Sequence, residues 1–137
     1  MEYFSPAKLN LFLKIWGKRS DGFHELTTFY QTIDFGDILS LTSSAKDSLI
    51  SNVDELVSPS NLIWKSLAIF RRETQILQPV SWTLNKSVPL GAGLGGGSSN
   101  AATALYALNE HFQTNIPTAT LQLWAQEIGS DVPFFFL

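Results

Sequence analysis

Strict alternation of apolar and polar residues marks two stretches of the chain as half-buried β-strands. In residues 7–16, one face carries four aliphatic side chains, Leu9, Leu11, Leu13 and Ile15. The other face begins with Lys8 and Asn10, which places an ammonium group and an amide on the same side of the strand. Residues 80–85 alternate in the same way, and their apolar side carries Val80, Trp82 and Leu84. We expect the apolar side of each strand to face the core.

Weaker patterns complete the expected sheet. Residues 24–33 and 38–42 predict two more strands, and the turn signals Asp21-Gly22 and Gly36-Asp37 precede them. The polar, serine-rich residues 43–59 predict a loop between the sheet and the helices that follow.

Apolar residues recur at intervals of three and four in three other stretches, which predicts amphipathic helices. The first begins at Ser60-Asn61, the second follows a glycine-rich segment, and the third spans 118–128 and ends at Gly129. The apolar positions are Ile63, Leu67 and Phe70 in the first helix, Ala102, Leu105, Leu108 and Phe112 in the second, and Leu121, Trp124, Ala125 and Ile128 in the third. The final apolar run, from residue 132, begins like a buried strand. The pattern as a whole predicts a mixed α/β (α+β) fold.

The glycine-rich segment, Pro89–Asn100, is the most unusual part of the chain. Five glycines among residues 91–97 leave backbone N–H groups unshielded and make positive φ angles accessible. Ser98 or Ser99 is the expected N-cap of the helix behind them. Because helix N-termini attract anions through their N–H groups and their dipole, we interpret this segment as a phosphate-binding loop rather than a flexible linker.

Two common classes of phosphate loop do not fit this segment. Gly91–Gly96 has the spacing G-x-G-x-x-G, but a dinucleotide-binding fold requires a strand after the helix, where residues 118–128 predict another helix. A Walker A loop is excluded because no Gly-Lys-Ser/Thr follows the glycines. A kinase-type glycine loop of neither class remains.

Composition excludes several classes of function and location. The 137 residues suffice for one domain with a core, and the formal net charge is −3. An acidic chain without a Lys/Arg cluster is a poor candidate for binding nucleic acid. The absence of cysteine excludes disulfides and thiolate chemistry. The first residues lack a signal-peptide pattern and no apolar run reaches membrane-spanning length, so we expect a cytoplasmic protein without a membrane partner.

Several polar side chains are candidates for chemistry, although each alone has a simpler structural interpretation. Lys8 is typical of a solvated strand edge, His24 beside Phe23 of a surface position, and Asp131 of a turn after a helix stop. The alternative is that Lys8 and Asp131 serve catalysis and that residues 23 and 24 bind a base. The chain also ends inside the apolar run Phe134–Leu137, so we expect further residues to follow it.

Three motifs occur in an order that resembles the GHMP kinase superfamily. They are Pro6-Ala-Lys-Leu-Asn10, the glycine segment with Ser-Ser-Asn-Ala-Ala102, and Gly129-Ser-Asp-Val-Pro133. Asp21-Gly-Phe-His24 is similar to the branch whose substrate is a cytidine-diphosphate-linked methylerythritol, in non-mevalonate isoprenoid synthesis. The resemblance covers the whole chain. It implies transfer of the γ-phosphoryl group of ATP, with Mg²⁺, to a 2-hydroxyl of that small-molecule substrate.

The resemblance also implies a role for each matching residue. Asp131 corresponds to the base that accepts the hydroxyl proton, and Lys8 corresponds to the cation that partners it. The substrate-binding positions would be Asn10, Phe23, His24 and Tyr30. His24 would hydrogen-bond the cytosine, with aromatic rings as stacking walls. The chain has phenylalanine at 23 and tyrosine at 30 where the family has the reverse, so both stacking surfaces are retained.

On the nucleotide side, the resemblance implies that the glycine loop wraps the ATP phosphates and that flanking residues line the adenosine. The implied positions are Asn61, Leu62, Lys86, Pro89, Gly91, Gly93, Leu94, Gly95, Gly96, Gly97, Ser98 and Ser99. Ser98 or Ser99 would contact the magnesium ion.

The implied fold, over residues 1–137, is the N-terminal ATP-binding and catalytic lobe of a GHMP kinase, similar to domain 2 of ribosomal protein S5. Family members continue into a C-terminal ferredoxin-like lobe that this chain lacks, so a longer chain or a second chain is expected to complete the enzyme. Two alternatives stay open. One is another GHMP kinase that acts on mevalonate, homoserine or a sugar, and the other is a non-catalytic phosphate-binding module.

Overall fold

The computed structural model describes residues 1–22 and 24–136, apart from the side chains of residues 12–14 and 24–28. In chain order the elements are β1 (Glu2–Lys18), β2 (His24–Ser43), β3 (Ser48–Ser51), α1 (Leu62–Thr74), β4 (Val80–Asn85), α2 (Gly96–His111) and α3 (Thr118–Ile128), with short 3-10 helices at Asp54–Leu56 and Val132–Phe136. The strands form one sheet in the order β1-β2-β4-β3. Over these described ranges, we find no helix whose length and apolar character would let it span a bilayer.

β1 and β2 form a long antiparallel hairpin, and the chain turns at Asp21-Gly22 as predicted. The second expected turn, at Gly36-Asp37, is wrong because β2 runs through it without interruption. Gly36 lies opposite Pro6 beside a register shift, where an added Cβ would collide with the carbonyl oxygen of Ser5. The glycine is therefore needed for the close approach of two strands rather than for a turn.

The aliphatic side of β1 does not face the core, contrary to the prediction. Lys8 is 5% exposed, whereas Leu11 is 64% exposed and Ile15 is 60% exposed. Lys8 is buried because it packs against the glycine-rich loop, whose Leu94 carbonyl accepts its backbone N–H at 2.8 Å. The contact with a distant loop, and not the hydrophobicity of the strand, decides which side of β1 is covered.

The stretch 43–59, which we expected to be a loop, contains β3 and a 3-10 helix. β3 runs parallel to β4 and is joined to it through α1, so the three elements form a βαβ unit. The alternation of apolar and polar residues does not reveal β3, because the strand is only four residues long and two of them are serines. Leu49 is its buried side chain, and Ser48 pairs its hydroxyl with that of Ser81 in β4 at 2.8 Å.

The core lies between the sheet and the helices, and periodicity predicts most of it correctly. β4 spans the expected residues 80–85, with Val80, Trp82 and Leu84 almost fully buried. α1 begins after its N-cap Asn61, as expected from Ser60-Asn61, and α3 spans 118–128 and ends at Gly129. The predicted helix positions that are buried are Ile63, Leu67, Phe70, Ala102, Leu105, Leu108, Leu121, Ala125 and Ile128.

Asp47, just before β3, ties three elements together. Its carboxylate accepts hydrogen bonds from both terminal nitrogens of the Arg71 guanidinium in α1, at 2.6 and 2.8 Å. It also accepts the backbone N–H of Val80 in β4 at 3.0 Å. The hydrogen bonds from Arg71 are the main reason why the pKa of the Asp47 carboxyl lies below its usual value.

We expect Asp47→Asn to lower the free energy of unfolding at neutral pH, because an amide is a poor match for the bidentate guanidinium. A carboxyl whose pKa is lowered by folding contributes stability above its ordinary pKa of 3.8 and loses it as the pH falls through the lower folded value. The difference between wild type and variant should therefore shrink in strong acid. Urea unfolding at a series of pH values measures it, and a difference independent of pH contradicts this role.

The apolar run after α3 forms the 3-10 helix Val132–Phe136, so the predicted strand is wrong. Val132 is buried, but the rings behind it do not alternate between two faces. Phe134 contacts Tyr30 edge-to-face, while Phe135 lies against Gly95 of the glycine-rich loop. Pro133 lacks an N–H donor, which a helical first turn tolerates and a strand ladder does not.

Candidate active site

The glycine-rich loop enters α2 through left-handed backbone angles. Gly91, Gly93 and Gly95 have φ angles of +67°, +73° and +69°, a region that favours glycine. Gly95 is the N-cap and α2 begins at Gly96, so the expected serine N-cap is wrong. The helix starts earlier because Gly95 makes the turn, and its carbonyl then accepts the N–H of Ser99 at 2.9 Å. The first turn of α2 thus follows the loop directly, where a helix presents N–H groups to an anion.

Lys8 of β1 lies along this loop. A Cβ added to Gly95 would lie 2.8 Å from Lys8 Cγ and 3.1 Å from its Cε, so the lysine stem passes directly over the glycine backbone. The backbone N–H of Lys8 donates to the Leu94 carbonyl at 2.8 Å. Strand and loop are therefore held together at the position where the first and second sequence motifs meet.

Four of the predicted site residues form a cluster at this position. Lys8 Nζ donates to Asn10 Oδ1 at 3.1 Å and lies 4.1 Å from the centre of the Tyr30 ring. The Tyr30 hydroxyl donates to Asp131 Oδ1 at 3.3 Å. The ring of Tyr30 thus contacts the ammonium of Lys8 while its hydroxyl contacts the carboxylate of Asp131.

Three separate elements hold this cluster in place. Asn10 and Tyr30 are direct partners across the β1–β2 ladder, so the hairpin register sets their spacing. Asp131 lies between the end of α3 and the following 3-10 helix, where the N–H of Val132 donates to the Gly129 carbonyl at 3.3 Å. The chain therefore turns at Gly129, where the sequence predicts the end of α3, and this turn brings Asp131 of the third motif back toward β2.

A buried ion pair lies beneath the glycine-rich loop, and sequence reasoning missed its acidic member. Lys86 Nζ donates to Asp37 Oδ2 at 2.6 Å, and both side chains are almost completely buried. The other oxygen, Asp37 Oδ1, accepts the backbone N–H groups of Ser87 and Val88 at 2.7 and 2.8 Å. Asp37 therefore fixes the backbone that leads from β4 into the loop. The dipeptide Gly36-Asp37 is typical of a turn, so the sequence gives no sign that Asp37 is a buried carboxylate.

The same network continues into the first turns of α2. Asn100 Nδ2 donates to Asp37 Oδ2 and to Ser5 Oγ, each at 2.9 Å, and Asn100 Oδ1 accepts from Lys86 Nζ at 3.1 Å. The hydroxyls of Ser5 and Ser99 lie 2.9 Å apart. Both ends of the glycine-rich loop are thus tied to one buried carboxylate. Ser99 is fully buried in this network, whereas Ser98 is half-buried.

A cavity of about 210 Å³ lies between the segment that leads into α1 and the first turn of α2. Its lining includes four residues predicted to lie on the nucleotide side, Asn61, Leu62, Lys86 and Gly97. Leu90 adds an apolar wall. A pocket with apolar walls and a few polar groups is typical of a small-molecule site.

Two predicted substrate residues cannot be placed against the cluster. Phe23 and the side chain of His24 lie outside the residues that the structure describes. Among the side chains it does describe, no group of three or more His, Asp or Glu residues is close enough to hold a metal ion.

The domain family described as "GHMP kinases N terminal domain" matches residues 61–137, more than half of the chain. The chain belongs to the GHMP kinases. The matched part of this GHMP kinase chain contains the glycine-rich loop, α2 and Asp131, and it confirms the GHMP kinase N-terminal fold expected from the motifs. Lys8, Asn10 and Tyr30 precede the matched part and reach the site through the hairpin.

Relatives of this GHMP kinase chain agree on a more specific name. Proteins named 4-diphosphocytidyl-2-C-methyl-D-erythritol kinase are 66% identical in Chlamydia felis and 58% identical in Chlamydia trachomatis serovar L2, over 99% of this chain and 47% and 48% of those proteins. A solved 4-(cytidine 5'-diphospho)-2C-methyl-D-erythritol kinase is 34% identical, with a TM-score of 0.84 over 98% of this chain and 48% of that one. Homoserine kinase from Cytophaga hutchinsonii, at 22% identity and a TM-score of 0.69, shares the fold. The chain spans about half the length of the relatives named as kinases of the cytidylylated methylerythritol, and 40% of the homoserine kinase.

Proposed function

We propose that this GHMP kinase chain carries the ATP-binding and catalytic residues for phosphorylation of the 2-hydroxyl of 4-diphosphocytidyl-2-C-methyl-D-erythritol. The observation that carries the proposal is the cluster of Lys8, Asn10, Tyr30 and Asp131 beside the glycine-rich loop. It combines a cation and a carboxylate next to an anion-binding helix terminus, as phosphoryl transfer requires. The names of relatives at 56–66% identity support the choice of acceptor.

The proposed reaction is an in-line displacement at the γ-phosphorus of ATP. The acceptor oxygen forms a bond to phosphorus while the bond from phosphorus to the β,γ-bridging oxygen breaks, and the electron pair leaves on ADP. Asp131 takes the proton of the acceptor hydroxyl on its carboxylate. Lys8 supplies positive charge to the transferring oxygens, and Asn10 orients the acceptor through its amide. Phe23 and His24 are proposed to hold the cytosine.

The nucleotide is proposed to bind with its phosphates on the glycine-rich loop and its adenosine in the 210 Å³ cavity. Mg²⁺ would neutralise charge on the β- and γ-phosphates. Of the two candidate serines, Ser98 fits as an oxygen ligand because it is half-buried at the end of the loop. Ser99 fits poorly because its hydroxyl is buried against Ser5.

The test uses a fusion of residues 1–137 to the remaining half of the Chlamydia felis relative, since the chain corresponds to 47% of that protein. We expect the fusion to convert ATP and the cytidylylated acceptor to ADP and a phosphorylated product, followed by phosphorus NMR. Mevalonate, homoserine and galactose should remain unphosphorylated, and the intact Chlamydia felis protein is the positive control. Transfer to one of the other alcohols would assign a different acceptor. ATP binding without any transfer would favour a non-catalytic phosphate-binding module.

A further inference from the structure

Tyr30 joins the two proposed catalytic groups through a single side chain. Its hydroxyl donates to Asp131 Oδ1 at 3.3 Å, and Lys8 Nζ lies 4.1 Å from the centre of its ring. We infer that Tyr30 is a positioning residue for phosphoryl transfer in this chain, and that its hydroxyl orients the Asp131 carboxylate, a contact that the phenylalanine usual at this position in the family cannot make. The inference rests on the proposed function and adds to it a residue whose role differs from base stacking.

The hydroxyl determines which carboxylate oxygen faces the acceptor. With Oδ1 engaged by Tyr30, rotation of the Asp131 carboxylate is restrained. Oδ2 accepts no hydrogen bond from the side chains that the structure describes, so it is the oxygen left to take a proton. The two residues are 101 positions apart in the chain, so this restraint depends on how the third motif packs against β2. Because Tyr30 is the ladder partner of Asn10, the hairpin aligns the carboxylate with the residue proposed to hold the acceptor.

The ring restrains the ammonium in turn. A cation within about 6 Å of a ring centre is attracted to the face of the ring, and Lys8 Nζ is well inside that distance. Asn10 Oδ1 holds the same ammonium at 3.1 Å, so Lys8 is fixed from two directions. Phe134 packs edge-on against Tyr30, with ring centres 5.2 Å apart, and limits movement of the ring itself.

This role and cytosine stacking lead to different kinetic results. A stacking wall needs the ring and not the hydroxyl, so Tyr30→Phe would change nothing and Tyr30→Leu would raise the KM for the acceptor. A positioning residue needs the hydroxyl, so Tyr30→Phe would lower kcat while the KM values for ATP and acceptor stay unchanged. The phenylalanine variant alone therefore separates the two roles.

In the fusion, we expect Tyr30→Phe to lower kcat about tenfold and Tyr30→Leu to lower it about 100-fold. Tyr106→Phe is the matched control, because it removes a hydroxyl that donates to Glu110 at 2.7 Å on the exposed side of α2. That control should have the wild-type kcat. A Tyr30→Phe enzyme with wild-type kcat, or with only a raised KM for the acceptor, overturns the inference while the proposed function stands.

A second readout does not depend on turnover. In the 137-residue chain, the ring current of Tyr30 should shift the Cε protons of Lys8 upfield in the NMR spectrum. Tyr30→Phe should keep the shift and Tyr30→Leu should remove it. An unshifted Lys8 in the wild type, or a shift that survives Tyr30→Leu, overturns the part of the inference in which the ring holds the ammonium, whatever the activity. A fusion that shows no transfer overturns the proposed function, and the inference with it.

Discussion

Asp131→Asn, introduced into the fusion with the second half of the Chlamydia felis relative, is expected to lower kcat by about 10²–10⁴-fold. The amide has nearly the shape of the carboxylate and its oxygen can still accept the Tyr30 hydroxyl, but it cannot take up the proton of the acceptor. ATP should bind with unchanged affinity, because the phosphates are proposed to lie on the glycine-rich loop and not on Asp131. Steady-state kinetics and calorimetric titration with ATP measure the two quantities separately.

Glu127→Gln is the matched control for this variant. It makes the same change from carboxylate to amide on the neighbouring helix α3, at an exposed side chain that pairs with Arg72 at 2.9 Å. Its kcat and ATP affinity should equal those of the wild type. Undiminished turnover in Asp131→Asn contradicts the assignment of the base, and so does a loss of ATP binding that accounts for the whole decrease.

Lys86→Met should cause the largest loss of stability, lowering the free energy of unfolding by about 3–5 kcal/mol. Asp37 would keep its two backbone N–H donors and Asn100, but it would be a buried carboxylate without its cation. The penalty arises from burying an unpaired charge, which costs more than the pair itself contributes. Urea unfolding of the 137-residue chain at neutral pH measures the change.

Arg72→Met is the control, because it removes the cation of an ion pair that is exposed instead of buried. Arg72 pairs with Glu127 and with Glu73, each at 2.9 Å, but all three side chains are exposed, so water screens the interaction. Its removal should have little effect on unfolding. A second test removes both buried charges but keeps an oxygen for the N–H groups of Ser87 and Val88, since the double variant Asp37→Asn with Lys86→Met should be more stable than Lys86→Met alone. Equal effects of Lys86→Met and Arg72→Met would contradict the importance of the buried pair.

Sequence periodicity predicts an element correctly when the element packs on the core along its whole length. β4 and α3 have the expected bounds because each buries one regular face, as Trp82 and Leu121 illustrate. It fails for β1, where contact with the glycine-rich loop buries Lys8 and leaves Leu11 exposed. It also fails at Gly36, because a glycine that admits a neighbouring strand and a glycine that makes a turn produce the same local signal.

Part of the candidate site could be predicted from the sequence and part could not. The motif resemblance, and not any local pattern, predicts that Lys8, Asn10, Tyr30 and Asp131 belong together, and the structure brings these four close to one another. Their roles stay predictions. The support beneath the loop was not predictable, because the network of Asp37, Lys86, Asn100 and Ser5 joins four separate segments and each residue looks ordinary in its own segment. Long-range hydrogen bonds of this kind have no period in the sequence.

A crystal structure of the fusion with Mg²⁺ and a non-hydrolysable ATP analogue tests the central claim most directly. We expect the phosphates to contact backbone N–H groups of the glycine-rich loop and of the first turn of α2. The terminal phosphate should lie within hydrogen-bond distance of Lys8 Nζ, on the side of the loop where Asp131 faces the acceptor. Phosphates bound away from the loop, or a terminal phosphate out of reach of both residues 8 and 131, would contradict the proposed kinase site.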